Sequence, residues 1–215
     1  MKSIVSVLVA VMAFAPSAWG NFPDTSDFVL VKELNGIALY ERWYFIRPDE
    51  PAREVKATFS IKAPAHAAVN LIRDESKGTQ WNKNTRAYKV LARNEDVWFG
   101  YIEYNLPWPL SNRDCVLHYE RTMRPDYLQL DFRGIEHPSF PVQKKIERIP
   151  EISGKWIFKE NAGVVDVEYY VTTTPNPTLP SWLTDPIIRN NLLETLDQFR
   201  ELLEGPYFAT VGEEN

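Results

Sequence analysis

From Phe28 onward, apolar and polar residues alternate with a period of two in segments rich in Val, Ile, Tyr and Phe. That spacing puts one side of each segment in a core and the other in water, which is the pattern of β-strands. The first two segments, 28–34 and 37–46, flank the dipeptide Asn35-Gly36, whose residues accept the backbone of a tight hairpin. In 53–61, Val55, Ala57, Phe59 and Ile61 fall on one face, with Lys56, Thr58 and Ser60 on the other. Further strands are predicted at 87–93, 97–105, 113–122, 127–134, 155–160 and 164–173. Turn formers separate them, among them Asn94-Glu95-Asp96, Arg124-Pro125-Asp126 and Asn161-Ala162-Gly163. Successive strands joined by short connections pair antiparallel.

Two segments follow the helical period instead. Pro64 opens the first, predicted over 64–76, with Ala67, Ala68, Leu71 and Ile72 on its apolar side and Gly78 as its stop. The second follows a proline-rich crossing at 175–186. Asp185-Pro186 starts it, Ile188, Leu192, Leu196, Phe199 and Leu203 form one stripe, and Gly205 ends it. About nineteen residues of helix span about 28 Å, enough to lie along a whole sheet. The fold class is therefore α+β: a long curved antiparallel sheet wrapped around a C-terminal helix, with a shorter helix inserted early. If the space between helix and sheet were hollow, the helix would act as a lid.

The first twenty residues stand apart from this pattern. Lys2, an apolar run over 4–14 and the small residues of Ala18-Trp19-Gly20 read as a signal peptide cleaved before Asn21. An exported protein is expected, with one domain over 21–206 and a loose tail over 207–215. The 215 residues carry 29 acidic against 24 basic side chains, a formal charge of −5 that loss of Lys2 makes one more negative. An acidic surface argues against nucleic acid as a partner and against purely electrostatic adhesion to anionic lipid. The single cysteine, Cys115, has no partner for an intramolecular disulfide, and its strand setting suits a packed thiol better than a nucleophile. His66, His118 and His137 have no metal-ligand spacing, and no GxSxG, GxGxxG or phosphate-binding loop is present. No cofactor is expected.

The stretch Tyr101-Ile102-Glu103-Tyr104 leads through Leu106-Pro107-Trp108-Pro109-Leu110-Ser111-Asn112 to Arg113-Asp114, placing two charges at the mouth of an apolar hairpin. That run, the earlier Gln80-Trp81-Asn82 after a helix, the strand order and the single long terminal helix resemble the START family of lipid-transfer domains over residues 28–204. The family's long amino-terminal helix has no counterpart beyond the short piece 21–26. The resemblance implies a helix-grip fold enclosing a tunnel for one lipid, with no chemistry performed on it. It also implies that Arg113 can face the tunnel and meet a polar headgroup. Family members take sterols, phospholipids or sphingolipids, so fold alone does not choose the ligand.

Alternation supplies the rest of the candidate wall. In 113–122 the set Arg113, Cys115, Leu117 and Tyr119 is assigned inward, and in the preceding strand Phe99, Tyr101 and Glu103. Leu130 and Phe132, Trp156 and Phe158, then Val167 and Tyr169 follow, with Leu192, Leu196 and Phe199 from the last helix. A tunnel wall and an ordinary core use the same residues, and both readings stand. Buried Arg113 needs an anion: a ligand phosphate gripped by its planar fork, or Glu103 or Asp114. Tyr101, Tyr169 and Trp156 could cage a quaternary ammonium. Leu106, Trp108 and Leu110 in the hairpin, and Trp182 beside Leu179 and Leu183, suit a gate making transient contact with a membrane. A monomeric lipid carrier is the leading expectation. Alternatives are a cyclase- or hydrolase-type enzyme using the same cavity, and an interaction module whose pocket is filled by side chains.

Overall fold

Asn35 and Gly36 turn the chain with φ values of 52° and 74°, and β1 (Val29–Leu34) folds back on β2 (Ile37–Arg47). The computed structural model describes residues 27–205 apart from 49, 109, 150, 175–180 and the side chains of 181–183. The expected leader and tail, and the gate residues Leu179, Trp182 and Leu183, lie outside what is described. After β3 (Glu50–Ile61) come α1 (Ala65–Arg73), α2 (Gly78–Trp81), β4 (Thr85–Ala92), β5 (Val97–Tyr104), β6 (Arg113–Met123) and β7 (Leu128–Gly134). A two-residue strand β8 (Glu147–Arg148) precedes β9 (Ile152–Asn161), β10 (Val164–Thr173) and α3 (Ser181–Glu204).

The strands form one sheet in the order β1-β2-β3-β10-β9-β7-β6-β5-β4, with β8 beside β6. Every pairing among the described residues is antiparallel except β6 with β8. The sheet curves around α3, so the architecture is the helix grip that the strand pattern and terminal helix predict. Its inner face carries Val55, Ala57, Phe59 and Ile61 of β3, Trp156 and Phe158 of β9, and Leu128, Leu130 and Phe132 of β7, all buried.

The middle of α3 is clamped between the two sheet edges. Near β1, Lys32 donates to Asn190 and Asn35 to Asp197. Near β4, the backbone N–H of Lys83 donates to the Thr195 hydroxyl at 3.0 Å and Asn84 to Asn191 at 2.8 Å. The helix occupies the opening where the sheet fails to close. Its fully buried stripe is Leu193, Leu196, Phe199 and Leu203, with Leu192 packed beside it half-buried. At about 1.5 to 3 kcal/mol per buried side chain, four such residues contribute on the order of 10 kcal/mol before chain entropy is set against them. Because the stripe is centred on Leu193, Ile188 is only half-buried.

Two predicted boundaries differ. Gly78 does not stop the first helix; it begins α2, after Asp74 has captured the backbone and hydroxyl of Ser76 at 2.8 and 2.6 Å. The glycine is required because the Tyr88 ring lies where a Cβ would stand, 2.0 Å from its Cγ. The last helix begins at Ser181, ahead of Pro186, and Asp185 turns its carboxylate to Arg53 at 2.7 Å instead of ending a loop.

Candidate functional site

Cross-strand partners share a sheet face, so register decides which residues look at α3. In β5 and β6 the pairs are Ile102 with Cys115 and Tyr104 with Arg113 on one face, and Tyr101 with Val116 and Glu103 with Asp114 on the other. Ile102, Cys115, Leu117 and Tyr119 belong to the core beneath α3. Tyr101 and Glu103 therefore stand on the convex face, opposite to the predicted tunnel wall. The segment 135–149 covers them there. Tyr101 stacks on Phe140 with ring centroids 5.3 Å apart and accepts from Gln143 at 2.7 Å, and Glu103 pairs with Arg86 at 3.3 Å. Burial, then the negative Asp114 and Glu103, push the Tyr101 phenol upward.

The inward assignments of Leu117, Leu130, Phe132, Trp156, Phe158, Val167, Tyr169, Leu192, Leu196 and Phe199 agree with their placement. Trp156 is the hub: its ring lies 4.4 Å from Tyr169, 5.2 Å from Phe199 and 6.0 Å from Phe158. Trp81, from the Gln80-Trp81-Asn82 bend, closes on Phe199 from the other side at 5.2 Å. Tyr101 is separated from Trp156 and Tyr169 by the sheet itself, so these three cannot form one cage. Tyr104 and Tyr169 keep accessible area, yet burial drives both phenols well above the ordinary tyrosine range. Both phenols are thus half-exposed by area yet strongly desolvated, because apolar side chains of the core pack around them.

At the end of this wall nearest the β5–β6 hairpin lies a polar row that alternation alone did not reveal. Thr85, Tyr104, Arg113 and Glu147 are successive cross-strand partners on β4, β5, β6 and β8. Thr85 Oγ1 and Arg113 Nε are buried without hydrogen-bond partners. A guanidinium nitrogen without an acceptor is costly in a protein interior. Arg113 pairs with neither Glu103 nor Asp114; its terminal nitrogen meets the Glu147 carboxylate at 3.2 and 3.3 Å. Asp114 on the convex face is held by Arg148 at 2.5 and 3.0 Å.

The hairpin between β5 and β6 projects from the same end. Trp108 is 88% exposed, Leu106 is half-buried and Leu110 is tucked in. Phe45 and Ile46, at the β2–β3 turn, and Val142 are exposed on neighbouring connections. A separate groove of about 370 Å³ lies on the convex face, lined by Glu120, Asp131, Arg133 and Lys155 among others. Charges of both signs make it unsuited to an acyl chain, and the sheet divides it from the inner wall. Among the described residues no cluster of His, Cys, Asp and Glu is placed to hold a metal ion.

A START-domain family model matches residues 29–205. The chain belongs to the START family. Membership brings a fold that binds hydrophobic ligands. A STAR-related lipid transfer protein from Xanthomonas axonopodis is similar at 29% identity and a TM-score of 0.72, over 83% of this chain and 99% of that one. Human StAR-related lipid transfer protein 5 shares the fold at 12% identity and a TM-score of 0.69, over 84% and 88%. An uncharacterized protein of Pseudomonas aeruginosa is 26% identical over 83% of this START chain and 87% of its own. An aromatase/cyclase from Streptomyces sp. R1128 also has the fold, at 14% identity and a TM-score of 0.53 over 73% and 96%.

Proposed function

We propose that this START protein is an exported, non-catalytic carrier of one lipid, held between α3 and the concave face with its polar end at the row Thr85–Tyr104–Arg113. The observation that carries this reading is that two of the four buried side-chain polar atoms without a partner among the described residues, Thr85 Oγ1 and Arg113 Nε, stand together at the hairpin end of an otherwise apolar wall. A ligand with an apolar body and an acceptor-bearing end satisfies both requirements. Leu117, Leu130, Phe132, Trp156, Phe158, Val167, Tyr169, Leu192, Leu196 and Phe199 contact its apolar part.

The acid–base inventory supports binding without chemistry. Burial pushes the Cys115 thiol up to about 12 and raises the phenols of Tyr88, Tyr104, Tyr119 and Tyr169. Groups held so far from neutrality make poor general acids or bases. His66 is exposed on α1, while His118 and His137 pack against Phe99 on the convex side. The reading of residues 1–20 as a signal peptide is what supports export. Transient membrane contact uses Trp108 with Phe45, Ile46 and Val142, and the carrier works as a monomer.

Fluorescent phospholipid in donor vesicles, with acceptor vesicles and the mature protein added, tests the assignment. The carrier accelerates appearance of intact lipid in the acceptors. No acceleration, or a chemically altered lipid recovered from the protein, would overturn the reading.

A further inference from the structure

Arg113 and Arg148 sit on adjoining strands and face acidic partners in very different ways. Arg148 engages both oxygens of Asp114 through two nitrogens, the planar fork-to-fork geometry of a tight pair. Arg113 offers Glu147 only one nitrogen, at 3.2 and 3.3 Å, and its Nε is left over. The Glu147 side chain is 51% exposed, against 20% for Arg113, and it also accepts the Ser111 hydroxyl at 2.7 Å. A carboxylate so placed can leave Arg113 for water without being stranded in a dry interior. The guanidinium cannot leave as cheaply, because its Nε is already enclosed.

We infer that Glu147 is a built-in competitor for the anion that Arg113 is positioned to receive, and that the ligand therefore carries a phosphate or carboxylate at its polar end. This rests on the lipid-carrier reading and names its ligand class. An incoming anion takes the unused side of the guanidinium and the Thr85 hydroxyl, and Glu147 turns out to solvent while keeping its tie to Ser111. A lipid with only a neutral hydroxyl gains nothing by displacing Glu147. The glutamate thus sets a threshold that selects anionic ends. The exchange also links the ligand to the hairpin, since Ser111 follows the exposed Trp108 by three residues.

The test compares wild type, Glu147→Gln and Arg113→Leu with three fluorescent probes: phosphatidylglycerol, a fatty acid and diacylglycerol. Glu147→Gln keeps the shape and the hydrogen bond to Ser111 but removes the competing charge. It is expected to tighten binding of one or both anionic probes by about three- to fivefold, the scale of one exposed ion pair, and to leave diacylglycerol unchanged. Arg113→Leu loses tenfold or more on the same anionic probe and at least threefold less than that on diacylglycerol. Which anionic probe responds separates a phosphate headgroup from a free carboxylate. An equal gain on all three probes means that Glu147 only holds the gate shut, and no gain on any means that it is a structural tie; either overturns the inference while leaving the carrier reading intact. Failure of every probe to bind wild type sinks the carrier reading and this inference with it. Unchanged melting of both variants establishes that they fold.

Discussion

Arg113 and Asp114 are chain neighbours, as are Glu147 and Arg148, yet the two ion pairs they form across β6 and β8 are opposites. Asp114 lies on the convex face, and Arg148 reaches it from the covering segment 135–149. Asp114 is fully buried, and Arg148 additionally donates to the Phe140 carbonyl at 3.2 Å. The hydrogen bond and charge of Asp114 together raise the pKa of Arg148. Arg113 and Glu147 lie one residue away on the inner face, longer, single-pronged and open to solvent on one side. One pair is sealed and closes a covering segment onto the sheet. The other is half-open to water beside the β5–β6 hairpin. Because successive strand residues point to opposite faces, four adjacent positions supply both a fastener and a switchable contact.

The largest expected effect comes from breaking the sealed pair. Arg148→Leu strands the Asp114 carboxylate, and urea unfolding should show a loss of about 3 to 5 kcal/mol. Removing both charges in Asp114→Leu/Arg148→Leu should recover more than half of that loss, since the desolvation cost goes with them. A double variant no more stable than the single would mean that the convex-face pair is not the source of the loss. Arg113→Leu sharpens the contrast: its stability should lie within about 1 kcal/mol of wild type, while anionic ligand binding falls. A smaller effect is expected from His118, on the convex side, whose pKa is lowered by burial and then by the nearby Arg133. Its folded form binds a proton less readily than the unfolded chain does. Its contribution is therefore complete above the ordinary histidine range and is lost as pH falls. His118→Gln should flatten the pH dependence of melting between about pH 7 and 5.

Much of the fold was legible because most strands carry one apolar and one polar face. The β3 set of Val55, Ala57, Phe59 and Ile61 is unambiguous by alternation, as is the inward side of β9. Alternation misplaces Tyr101 and Glu103 because β5 is apolar on both faces: Trp98 and Ile102 pack inward, while Phe99 and Tyr101 meet His137 and Phe140 outside. Hydrophobicity cannot orient such a strand; register can. Once Arg113 is inward, its partner Tyr104 must be too, and Tyr101 follows outward. Thr85 and Glu147 gave no local signal at all. They join the site only through pairing across β4, β5, β6 and β8, and β8 is two residues long.

A second set of charges ties the start of α3 to the sheet. Arg189 of α3 grips Glu41 of β2 at 2.9 and 2.7 Å, and Arg53 of β3 holds Asp185 at 2.7 Å, both near the helix start. Breaking this cluster with Arg189→Met leaves Glu41 buried beside Arg53, 3.9 Å away. Faster hydrogen exchange in the first turns of α3 than in the stripe from Leu193 to Leu203 is the expected readout. Uniform exchange along α3 would place the weak point elsewhere.

The central claim, that the concave face and α3 enclose a lipid, is tested most directly by native mass spectrometry of the protein purified from its own cells. The account predicts a one-to-one complex whose extra mass, released on unfolding, is an intact lipid with a phosphate or carboxylate end. A protein that flies at its bare mass, and still does so after incubation with vesicles, would contradict it.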